Sequence, residues 1–233
     1  EFLYSAGDQI NNYDPEEDEY EGYFGTSTMT SLPMAVNVGN HDNGNMKINA
    51  FSDHYTVPEN TDSATQTIGD QSGDYWFEYD GALLISLNSN SMSTAAHKAF
   101  MEKAIKDFTA KYGEPAWKIV TFHHSVYSTA THTSDEDILQ RREQLPPVFS
   151  ELGIDVVLMG HDHVYTRSYM MQGTTPVTDK SRYTAVNGDD YGSISNPQKG
   201  EVLYVTANSA SGSKFYTMKN MEFPFAADKN QEK

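Results

Sequence analysis

Four short stretches carry the residues able to do chemistry: Gly7-Asp8, "GNHD" (39–42), "TFHH" (121–124) and "GHDH" (160–163). Any one of them alone reads equally as a polar turn. Together they gather imidazoles, carboxylates and an amide, the ligand types that suit iron, zinc, manganese or nickel. A carboxylate can bridge two cations, and two metals about 3.5–4 Å apart can clamp a phosphate and activate the water that attacks it. A nearby imidazole can then protonate the leaving oxygen. Cysteine is absent, so thiolate zinc sites and disulfides are excluded and any metal must use His, Asp, Asn or Glu.

These stretches need elements to hold them, and each follows an apolar run. "FLYSA" (2–6) leads into Gly7-Asp8, "MAVNV" (34–38) into "GNHD", "KIVTF" (118–122) into the His123-His124 pair and "IDVVLM" (154–159) into "GHDH". With "GALLISLN" (81–88) and "EVLYVTA" (201–207) these runs predict six strands. A helix is predicted over 94–111, capped by Ser93 or Thr94 and ended by Gly113 with Pro115. A second is expected to start near 134–137, break at Pro146–Pro147 and resume to Leu152, with Gly153 as terminator. Alternating strands and helices argue for a layered α/β domain, whose sites form beyond the carboxyl ends of strands. The polar stretch 172–200 reads as a long loop, and 11–22 as a loop leading into a short helix.

Acidic residues outnumber basic ones 33 to 16, a net charge of −17 that argues against nucleic acid as a partner. The same field repels an anionic substrate unless bound cations reverse its local sign. No run approaches the length of a membrane span, so no membrane partner is expected.

In order and spacing, "GD…GNHD…H…GHxH" resembles the calcineurin-like metallophosphoesterases over nearly the whole chain. The stretch "TFHHSVYSTATH" resembles the purple-acid-phosphatase branch, and "LYVTANSASGSKFY" its secreted bacterial members. The resemblance implies an α/β fold, a four-layered α/β/β/α sandwich, and one catalytic domain over 1–233. It implies two metal ions (Fe, Zn, Mn or Ni) that activate a hydroxide to hydrolyse a small phosphate ester. Asp8 would bridge the metals; Asn40, His123 and His161 would complete one site, and His163 would belong to the other. His41 would be the substrate-facing acid held by Asp42, and His132 a substrate contact. A secreted or cell-surface location is expected on the same ground.

Two departures stand out. The family's first motif, Asp-x-His or Asp-x-Gly, lies before Gly-Asp and finds no match in residues 1–6. The sandwich is therefore expected to miss its first strand, with an upstream segment of the parent protein as partner. Second, purple members place a tyrosine three residues after the bridging aspartate, where this chain has Asn11, so no tyrosinate–iron colour is expected. A rival reading follows from the first departure: a scaffold of the same fold that binds one metal or none. A structural zinc module fits poorly, because Asp8, Asn40 and His41 follow the pattern of an open hydrolytic site. Elsewhere, His54 and His97 are expected to be structural or solvent-facing, Arg167 to form a salt bridge, and the acidic run 14–21 to be a solvated loop.

Overall fold

Continuous apolar runs become strands wherever they are short and bounded by turn residues, and this chain has many. A computed structural model describes residues 1–11, 17–42, 49–58, 60, 73–210 and 214–231. Its fold is mixed α/β, and it divides into two compact units: 1–115 with 120–124, and 116–119 with 125–233.

In the first unit, β1 (Leu3–Ser5) and β2 (Met34–Val36) pair in parallel, Leu3 opposite Met34 and Ser5 opposite Val36. Parallel pairing brings the two carboxyl ends, and so the loops starting at Gly7 and Gly39, to the same side. The Tyr75 hydroxyl clips this pair by donating to the Val36 carbonyl and accepting from its N–H, both at 2.8 Å. The short helices α1 (Glu17–Phe24) and α2 (Asn49–His54) follow β1 and β2. The acidic run thus becomes helix from Glu17 on, while 14–16 lie outside the described residues.

β3 (Tyr75–Tyr79) and β4 (Ala82–Leu87) form an antiparallel hairpin. Its turn, Asp80-Gly81, has φ of 53° and 79°, as a tight two-residue connection requires. α3 (Thr94–Tyr112) packs on β4. Ser93 caps it by accepting from the Ala96 N–H at 3.3 Å, and Gly113 ends it at a φ of 86°. Phe100, Ala104 and Phe108 fall on its buried face. Burial of each large side chain there contributes about 1.5–3 kcal/mol. β5 (Trp117–Phe122) starts in the second unit and finishes in the first, where Val120 and Phe122 are fully buried.

In the second unit, β6 (Val156–Met159) runs parallel to β12 (Glu201–Thr206), Leu203 opposite Val156. β7 (Tyr165–Ser168) lies antiparallel to β12, and β13 (Ala226–Asn230) antiparallel to β7. α4 (Glu136–Leu152) buries Ile138, Leu145 and Phe149 and contacts β12. The expected break at Pro146–Pro147 does not occur: the helix is continuous through both prolines. Each ring supplies a helical φ while removing one N–H, a cost of about 3 kcal/mol in a helix interior. Buried Leu145, Pro146 and Phe149 anchor the helix on both sides of the lost bonds. Gly153, at φ 65°, closes the helix by donating to the Ser150 carbonyl.

The expected loop 172–200 is largely ordered by backbone pairing. It contains β8 (Met171–Gln172), β9 (Thr175–Pro176) and the hairpin β10 (Tyr183–Val186) with β11 (Asp189–Ile194). Arg182 forms an ion pair with Glu201. Arg167 pairs with Asp189 and donates to the Tyr191 carbonyl, the salt-bridge role expected for it.

Candidate metal centre

Unit 1 gathers Asp8, Asn40, His41, Asp42 and His123 around the carboxyl ends of β1, β2 and β5. The approach is close enough to dictate two glycines. A Cβ on Gly39 would stand 2.1 Å from Asp8 Oδ1, and one on Gly7, whose φ is 101°, 2.7 Å from His123 Nδ1. Asp8 itself has a φ of 57°, a left-handed conformation that costs a non-glycine residue about 1–3 kcal/mol and that clusters at functional sites.

His123 is buried, 1% exposed. Its Nδ1 lies 2.8 Å from the Ala6 carbonyl, which only accepts, so Nδ1 carries a hydrogen. Its Nε2 then faces Asn40 Oδ1 at 3.0 Å and Asp8 Oδ2 at 3.1 Å. Two oxygen donors thus lie within 3.1 Å of one imidazole nitrogen, all three of the types that bind Zn, Mn or Fe. The Asp8 carboxylate would favour a proton on His123 Nε2. Burial would lower the His123 pKa, but the Asp8 carboxylate outweighs it and raises it. Burial alone would raise Asp8; the charge and hydrogen bond of His123 and the His41 N–H hold it at about 2 instead. The donor set fits a cation in place of that proton, and the hydrogen bond to Ala6 is the kind of outer contact that orients a metal-binding imidazole.

Asp42 is buried and organises the loops. Its Oδ2 accepts from the N–H groups of Asp8 at 2.7 Å and Gly39 at 2.8 Å, and its Oδ1 from Gln9 at 3.0 Å. Burial and the neighbouring Asp8 charge push its pKa to about 7, against those amide donors. The sequence reading gave Asp42 the task of holding His41. The contacts seen here tie Asp42 to backbone, and the His41 ring meets the Asn11 carbonyl through Nδ1 at 2.5 Å. The His41 N–H donates to Asp8 Oδ1 at 2.9 Å, and its Nε2 lies 4.0 Å from Asp8 Oδ2. Asn90 supports the same loop by donating to the Gly39 carbonyl at 3.2 Å.

Unit 2 gathers His132, His161 and His163. His161 has a φ of 67°, and its ring centroid is 4.3 Å from that of His132. His132 Nδ1 is 2.7 Å from Asp135 Oδ2. His163 Nδ1 lies 3.1 Å from the Lys214 carbonyl.

Sequence reasoning missed Asp162, the residue between the two motif histidines. It is fully buried, accepts from the Ser128 hydroxyl, and takes the His132 N–H on Oδ1 at 3.3 Å. Its carboxylate therefore ties the turn after β6 to the loop carrying His132. His97, by contrast, is buried against Asp74 at 3.2 Å, and His54 stacks on Tyr20 with centroids 3.6 Å apart.

A calcineurin-like phosphoesterase family profile matches residues 1–165. An uncharacterized protein of Mycobacterium tuberculosis is 25% identical over 158 residues, 60% of this chain and 29% of the relative. Purple acid phosphatase 17 of Arabidopsis thaliana is 26% identical over 92 residues, 39% of this chain and 25% of that protein. Among solved structures, a purple acid phosphatase from yellow lupin (Lupinus luteus) seeds superposes with a TM-score of 0.74 at 14% identity. The match covers 99% of this chain and 40% of that one. PhoD superposes with a TM-score of 0.54 at 12% identity, covering 89% of this chain and 51% of that one. The fold is thus that of the metallophosphoesterases, and the chain spans less than a third of the curated relatives it matches.

Proposed function

Because the chain belongs to the calcineurin-like phosphoesterase family, we propose that it serves a metal-dependent hydrolase that cleaves small phosphate esters with two metal ions. The observation that carries this reading is the approach of Asp8 Oδ2 and Asn40 Oδ1 to within 3.1 Å of His123 Nε2. In the reading, Asp8 would be shared by the two ions, Asn40, His123 and His161 would hold one, and His163 would hold the other. When bound, the ions would supply the positive charge that holds a phosphate and makes the attacking water acidic. That local charge also answers how a chain of net charge −17 receives an anion.

The protein's own groups do the remaining work. His41 donates a proton to the leaving oxygen from Nε2, its Nδ1 being engaged by the Asn11 carbonyl. Asp42 keeps the loops carrying Asp8 and Asn40 in register through three backbone N–H groups. His132, its ring held at Nδ1 by Asp135, serves as a contact to the phosphate. Secretion or cell-surface display is proposed with this activity; among the described residues no helix is long and apolar enough to cross a membrane.

The test is a substrate panel on the full-length protein, with para-nitrophenyl phosphate and its bis ester as probes. Hydrolysis that a chelator abolishes, manganese or zinc restores and His41→Gln slows at least about 100-fold supports the reading. Absence of chelator-sensitive hydrolysis of either ester refutes it.

A further inference from the structure

After β12 the chain returns as an extended strap, residues 214–219, beside two histidine loops of the second unit. The Tyr216 N–H donates to the His163 carbonyl at 2.9 Å, and the Lys219 N–H to the Thr129 carbonyl at 2.9 Å. The strap is therefore pinned at one point to the loop of His163 and at another to the loop leading to His132. Between the pins, the Tyr216 ring stacks on His163, with centroids 4.8 Å apart and planes 22° from parallel. Its other contact is edge-on to His132, at 5.6 Å and 68°.

An imidazole has a broad torsional well about its last side-chain bond, so one hydrogen bond leaves its plane loosely set. Among its contacts, the Lys214 carbonyl holds the His163 ring at Nδ1, 3.1 Å away, and the Tyr216 face sets the plane of the ring. We propose that Tyr216 is a positioning residue that sets the ring planes of His163 and His132 through its stacked and edge contacts. This rests on the reading of His163 as a metal ligand and His132 as a substrate contact. Both contacts use the ring of Tyr216 rather than its hydroxyl. Lys214 Nζ stands 5.4 Å from the centroid of the Tyr216 ring and adds a cation to the ring's electronic environment.

The experiment compares full-length wild type, Tyr216→Phe, Tyr216→Leu and His163→Ala. Mn2+ binding is followed by calorimetry, and kcat and KM are measured with para-nitrophenyl phosphate. Tyr216→Phe is expected to stay within about twofold of wild type in every constant. Tyr216→Leu is expected to weaken the Mn2+ site that His163→Ala removes by about tenfold or more, the range for losing an outer-shell orienting group. Its KM should also rise more than its kcat falls. A general loss of packing would instead lower the denaturation midpoint and leave the Mn2+ constant of the folded protein unchanged. The proposal is overturned if Tyr216→Leu binds Mn2+ and substrate as wild type does while His163→Ala loses the site. It is equally overturned if Tyr216→Phe loses as much as Tyr216→Leu, since the hydroxyl would then be the acting group. If His163→Ala leaves Mn2+ binding intact, the ligand reading itself fails, and the positioning role falls with it.

Discussion

Replacing Asp42 tests how the loops after β1 and β2 are held. Its carboxylate is 1% exposed and accepts three backbone N–H groups, two on Oδ2 and one on Oδ1. Hydrogen bonds to a charged acceptor contribute about 1.5–3 kcal/mol each, and a buried N–H left without a partner costs about 1–3 kcal/mol. Asp42→Ala removes all three hydrogen bonds and is expected to cost about 4–6 kcal/mol, a loss at the edge of what one substitution does. Asp42→Asn can keep its carbonyl oxygen toward Asp8 and Gly39, but its NH2 then meets the Gln9 N–H donor to donor. Relief of a buried charge offsets part of that loss, so a cost of about 2–3 kcal/mol is expected. Urea unfolding at a pH well above 7, where the Asp42 carboxyl is ionised, gives both values, provided the slope stays constant across the variants. A cost below about 1 kcal/mol for Asp42→Ala, or equal midpoints for Asp42→Asn and wild type, would refute the reasoning, because the loops would then be closing without the carboxylate.

Three further outcomes follow from the same structure. Gly39→Ala should abolish metal binding and cost about 3 kcal/mol, since the added Cβ would overlap both Asp8 Oδ1 at 2.1 Å and Asp8 N at 2.3 Å; urea unfolding and a Mn2+ titration check it. Arg182 beside Glu201, with the Gln198 N–H, holds the Glu201 carboxyl below its ordinary pKa. A depressed carboxyl stabilises the fold above its unfolded pKa and loses that contribution as pH falls through its folded value, so Glu201→Gln should be less stable than wild type at pH 7 and converge with it in acid. Urea midpoints across that range show this, and a difference that persists in acid would contradict it. Lastly, Mn2+ at about 100 times its Kd should raise the unfolding free energy by about 2.7 kcal/mol per site, and His123→Ala should remove most of the gain.

How much of this was legible beforehand depended on which signal each segment carried. All six apolar runs are strands, and 94–111 is a helix to within a residue, because a continuous apolar run and a helical stripe each carry their own period. β3 and the β10–β11 hairpin escaped notice although their turns are written out, as Asp80-Gly81 and Asn187-Gly188, pairs whose positive φ angles suit tight hairpins. β3 opens on the aromatics Tyr75-Trp76-Phe77, and β10 and β11 mix polar with apolar residues, so none carries the aliphatic run that revealed the others. The proline pair misled in the opposite direction: local chemistry favours a break, and packing of Leu145 and Phe149 overrides it. In the candidate centre, Asp8, Asn40 and His123 were visible because each ends a strand. Asp162 and Tyr216 act through contacts across 30 residues or more, between Asp162 and His132 and between Tyr216 and His163. No local pattern encodes such a contact.

The most direct test of the central claim is the metal content of the purified full-length protein, measured by elemental analysis for wild type and Asp8→Asn. The account predicts two transition-metal ions per chain in wild type and a loss of both, or of all but one, when the bridging carboxylate is replaced. A wild-type protein that holds no metal after incubation with manganese or zinc, or an Asp8→Asn variant that holds two as tightly, would contradict it.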